Sequence, residues 1–128
     1  MELVSQMSFN PAVRGVSERY VTFGIANGGN VLPTGIRTLT AAALPFSGII
    51  KRWKLRSQNG AATCELDIRK NGTRICAAAR PSLSADVFAD SDTLTGWDTA
   101  LTENDILTAE VISNTDATNL ILLLAIQI

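Results

Sequence analysis

The chain has 128 residues, 46% of them hydrophobic, with a net charge of −1 and no histidine. A chain of that length buries one core without metal or disulfide support, and its near-neutral charge excludes indiscriminate attraction to nucleic acid or anionic membrane. The absence of histidine removes the Ser-His and Cys-His nucleophile systems and the main zinc ligand.

Residues 1–17, MELVSQMSFNPAVRGVS, hold no basic leader and no long apolar stretch, so no export signal is expected there. They read as an extended N-terminal arm ahead of a single domain over 18–128. Strand-like runs between turn signals follow: Arg19 to Ile25, Gly35 to Ala43, Gly48 to Ser57, Ala62 to Lys70, Thr73 to Ala79, Thr93 to Trp97, Asp105 to Ser113 and Asn119 to Ile128. Eight short strands predict an all-β fold, an antiparallel β-sandwich of jelly-roll type. Ser82 to Ala89 is the best helical candidate, of two turns at most.

Three runs carry most of the information. In Gly48 to Ser57, Ile49, Trp53 and Leu55 alternate with Arg52, Lys54 and Arg56, the period of a half-buried strand with Trp53 in the core. In residues 62–79, Asn71-Gly72 supplies the two positive-φ positions of a type I′ turn. That turn pairs Lys70 with Thr73 and Arg69 with Arg74, places Cys64, Leu66 and Ile68 on a core face, and leaves Glu65, Asp67 and Arg69 on a wet one. Cys64 and Cys76 then fall on opposite faces, so two free thiols are expected, one of them buried. In the last run, Leu120 to Ile126 are all apolar, too short to span a membrane at about twenty residues. Such a strand needs cover on both faces. The N-terminal arm of residues 1–17 or a second copy of the chain would supply that cover; the second copy is the favoured expectation, with Leu120, Leu122, Leu124 and Ile126 at the interface between copies.

Chemistry finds little support. Eight basic residues lie between Lys51 and Arg80, and seven acidic ones with no base between Ser82 and Val111. This split reads as solvated surface or as a seam between copies. The run Asp90 to Asp98 fails the EF-hand pattern, because Leu94 takes a ligand position and Gly96 comes one residue late. Neither GxGxxG nor a P-loop occurs. The basic stripe Arg52, Lys54, Arg56, Arg69 and Arg74 lacks aromatic platforms for nucleic acid. No catalytic residue, metal ligand or cofactor site is assigned. Trp97 beside Asp92 and Asp98 is the one arrangement suited to a sugar ring, although a plug at the end of the sandwich explains the indole equally well.

From Leu32 onward the chain resembles a small β-sandwich domain of tailed-bacteriophage structural proteins. The matching residues are Pro45-Phe46-Ser47-Gly48-Ile49-Ile50 with Trp53 and Leu55, Leu66 to Gly72, Pro81 to Ser84, Leu94 to Trp97, Leu101 with Asp105 to Leu107, and Val111 to Ser113. The resemblance implies a non-enzymatic virion protein, either a capsid decoration (cement) protein or a tail-fibre module. A decoration protein would be a homo-oligomer, expected as a trimer, on the outer capsid surface after assembly in the host cytoplasm. Its partner would be the major capsid protein, without nucleic acid or membrane. The arm residues Val4, Met7, Phe9 and Arg14 are the expected capsid contacts. The tail-fibre alternative would place host glycans on Trp97, Asp92 and Asp98.

Overall fold

The computed structural model describes residues 4–11, 18–37 and 43–128, and within them the chain is all-β, with no helix. Its strands are β1 (Val4–Pro11), β2 (Glu18–Ala26), β3 (Gly48–Ser57), β4 (Ala62–Lys70), β5 (Thr73–Arg74), β6 (Ser82–Asp86), β7 (Phe88–Ser91), β8 (Ala100–Leu101), β9 (Leu107–Asn114) and β10 (Asn119–Gln127). One sheet runs β1-β2-β10-β3-β7 with β8 also on β3, and the second places β4 between β5, β6 and β9. Arg37 bridges to β9 at Glu110, and Ala43 bridges to Ile106, just before β9. The last strand thus lies between β2 and β3, and β9 lies between β4 and the bridge residue Arg37, the interleaving of a jelly roll.

The core fills the space between the sheets. Phe23, Leu122 and Leu55 are cross-strand neighbours in one row of the larger sheet, and all three are fully buried. Leu66, Ile68, Leu107, Ala109 and Val111 meet them from the smaller sheet. Leu120, Leu122, Leu124 and Ile126 therefore belong to the core and have no surface to offer a second copy. The physical reason is parity: these four sit at alternate positions of a central strand, and the outward positions are Ile121, Leu123 and Ala125.

Other expectations are corrected by local irregularities. Within β3, Ile50 pairs with Ile126 while Arg52 pairs with Ala125, so Lys51 is an extra residue in a β-bulge. The bulge turns Ile50 inward and leaves Ile49 about half exposed, where strict alternation had put Ile49 in the core. Gly48, one step earlier, has no room for a side chain, since a Cβ there would meet the Gln127 carbonyl oxygen at 2.6 Å. Residues 82–89 form strands β6 and β7 rather than a helix, Thr93 to Trp97 forms no strand, and β5 ends at Arg74.

The Asn71-Gly72 turn forms as expected, with φ of 53° and 87° and the pairs Lys70 with Thr73 and Arg69 with Arg74. Beyond Ile75 the chain leaves the hairpin, and β6 takes its place beside Cys64 and Glu65. Segment 75–81 then lies over what alternation predicted as a wet face, and Asp67 is fully buried. Both cysteines are free and both are buried, a correction to the expectation of one. Burial pushes the Cys64 thiol up to about 11 and raises Cys76 as well, which leaves neither reactive near neutrality.

The segment read as an arm contributes β1, which pairs with β2 from Val4 opposite Ala26 to Pro11 opposite Arg19. It is an integral edge strand of the larger sheet, containing Val4, Met7 and Phe9. Arg14 lies outside the described residues.

Candidate functional site

The larger sheet turns one face to the core and the other away from it, and pairing identifies the outward residues. One row runs Gly24, Ile121, Arg56, Phe88, and the next Thr22, Leu123, Lys54, Asp90. A third runs Tyr20, Ala125, Arg52. Phe88 is 46% exposed, Lys54 and Arg56 are exposed, and Ile121 and Leu123 are half-buried. Gly24 keeps the relief low next to the larger side chains, and Ala125, between Tyr20 and Arg52 in the third row, is fully buried. Arg52 is held by Glu18 at 3.2 Å, whereas Lys54 and Arg56 take part in no ion pair among the described residues. An aromatic and two aliphatic side chains beside an unpaired arginine have the composition of a protein interface centre.

At the β7 border of this face, Arg52, Asp90, Ser91 and Asp92 line an open recess of about 350 Å³. It includes Asp92 but neither Trp97 nor Asp98. Trp97 is 9% exposed, bridges to Cys76, and donates its indole N–H to the Ala79 carbonyl at 3.2 Å. The indole is thus almost wholly enclosed by the fold. Asp98 is tied to the Lys70 Nζ at 2.6 Å. The three residues grouped for sugar binding thus have separate duties, because the turn at Gly96 (φ 83°) aims the indole into the fold.

The outward face of the smaller sheet is a charge network that periodicity could not reveal. Asp67 Oδ1 accepts hydrogen bonds from the Ile68 and Cys76 amides at 2.6 and 3.1 Å, and its Oδ2 accepts from Arg80 Nε at 3.0 Å. Glu110, 4% exposed, accepts from Arg69 Nε at 2.9 Å and from Arg74 Nε at 3.0 Å. Arg69 and Arg74 are therefore committed within the fold and leave the basic stripe to β3. Burial works to raise the Glu110 carboxyl, but the hydrogen bonds and charges of the two guanidiniums outweigh it and hold the group at about 2. Since the folded value lies below the ordinary 4.5, this stabilisation is complete above about 4.5 and is lost as pH falls toward about 2. The thermal midpoint of the native chain is expected to drop through that window, and Glu110→Gln to start lower at neutral pH with a shallower acid slope. Identical slopes would remove Glu110 from the account.

Among the described residues, no group of three or more Cys, Asp or Glu is arranged to hold a metal ion. No family model and no curated protein matches the chain. Solved structures similar to it include a family 35 carbohydrate-binding module from Clostridium thermocellum, at 13% identity and a TM-score of 0.43 over 94% of this chain and 86% of that one. A chain of the cyanophage Pam1 capsid asymmetric unit is 20% identical, with a TM-score of 0.40 over 96% and 94%. The family 35 module of Paenibacillus barcinonensis is 14% identical, with a TM-score of 0.38 over 91% and 89%. At such identity and overlap, what those proteins bind or build is theirs alone.

Proposed function

We propose that this chain is a structural protein of a tailed-bacteriophage virion, a decoration protein that seats on the capsid and stabilises it by binding across major capsid subunits. The carrying observation is the outward face of the larger sheet: low in relief, centred on Ile121 and Leu123, and bordered by exposed Phe88, Lys54 and Arg56. The resemblance of residues from Leu32 onward to phage structural domains supports the same reading. The face, rather than Val4, Met7 and Phe9 of an arm, makes the capsid contact. Its mechanism is linkage: a ligand that binds only the closed shell at one hundred times its Kd stabilises each site by about 2.7 kcal/mol. Adding the purified chain to heads prepared without it is expected to raise their rupture temperature in proportion to occupancy. Absence of binding would end this reading.

A receptor-binding module is the second reading, favoured by the polar recess of Arg52, Asp90, Ser91 and Asp92. Host adsorption abolished by Asp92→Ala with equally robust heads would decide for it.

A further inference from the structure

Sheets in folded proteins protect their edges, because an edge strand offers unpaired N–H and C=O groups to any other strand. The usual guards are a lysine or other charge, a proline, a bulge, or a very short strand. Strand β1 has none of these over Val4-Ser5-Gln6-Met7-Ser8-Phe9-Asn10. It contains no charged residue, its single proline is the last residue, Pro11, and its pairing with β2 runs along all eight residues without a register shift. No strand lies on its far side among the described residues. Alternate residues of an antiparallel edge direct both backbone groups away from the partner strand.

The opposite edge of the same sheet is built differently. It is divided between β7, of four residues, and β8, of two, and β7 carries Asp90 and runs into Asp92. That edge is short and acidic, and it cannot seat an eight-residue strand.

We propose that β1 pairs with β1 of a second copy of this chain, antiparallel and about a two-fold axis, so that the larger sheet continues from one copy into the next. The second copy is the occupant because identical edges related by a two-fold axis are complementary in hydrogen bonding without further design. Closure at two copies follows from the guarded far edge, which denies a head-to-tail filament its second half. This pair takes the place of the trimer expected from the sequence. It is independent of what the outward face binds, and it leaves that face free.

The test is a cysteine scan of the full chain at Ser5, Gln6, Met7, Ser8, Phe9 and Asn10 under mild oxidation, with sedimentation equilibrium of the unmodified protein alongside. Both native thiols are buried and stay out of the reaction. The expected result is a mass of twice 13.7 kDa, with cross-linking that peaks several-fold at one β1 position and falls away on both sides. The peak marks the axis, where facing Cα atoms come within disulfide reach. Gln6→Lys with Ser8→Lys is expected to return the single-chain mass, with a cooperative thermal transition whose midpoint no longer rises with protein concentration. A single-chain mass for the unmodified protein, a trimer, or a dimer whose β1 cysteines cross-link no better than one at exposed Val31 would each overturn the proposal.

Discussion

Replacing Asp67 with alanine is expected to cost about 3–5 kcal/mol, the range for removing one member of a buried ion pair. The side chain is fully buried and joins three donors, the amides of Ile68 and Cys76 and the guanidinium of Arg80, which also reaches the Cys76 carbonyl and Glu65. Its loss strands two backbone N–H groups under segment 75–81 and releases the arginine that holds the segment down. Asp67→Asn keeps an acceptor without the charge and is expected to lose less. Urea unfolding at neutral pH measures both. A loss under about 1 kcal/mol for Asp67→Ala would mean that water enters freely and that the network is superficial.

Adjacent leucines of β10 are expected to behave in opposite ways. Leu122→Ala opens a cavity between Phe23 and Leu55 and is expected to cost about 2–5 kcal/mol. Leu123→Ala removes a half-buried side chain from the outward face and is expected to cost about 1 kcal/mol or less in the isolated chain. Leu123→Ala should nevertheless weaken seating on heads, whereas Leu122→Ala should not, once folded. Equal costs in unfolding would refute the assignment of faces.

Much of this fold was legible in residue order. Asn71-Gly72 declared its hairpin, because few dipeptides accept two positive-φ positions. The unbroken apolar run of β10 marked a strand with demands on both sides, and Trp97, weighed as a plug or a stacking platform, is 9% exposed. Pattern alone failed wherever the backbone changed phase or a partner was remote. The bulge at Lys51 exchanged Ile49 for Ile50, and no local signal announces an extra residue. The same phase question decided β10, whose seven apolar residues are indifferent to parity, so Leu120, Leu122, Leu124 and Ile126 were first set on the wrong side. Asp67 looked solvated because its partner Arg80 lies thirteen residues away across an irregular loop. Strand β1 was missed because serine, glutamine and asparagine interrupt its apolar residues, and it is fixed by pairing with β2 rather than by its own propensity. The working face was absent from the sequence reading for a related reason: Phe88 joins Arg56 and Ile121 only once β7 has paired with β3.

Hydroxyl-radical footprinting of the full chain, free and seated on heads, addresses the working face most directly. Phe88, Ile121 and Leu123 are expected to be oxidised several-fold less in the seated protein, while Val31 and Ile106, exposed elsewhere, change little. Oxidation of Phe88 and Leu123 to the same extent in both states would contradict the account.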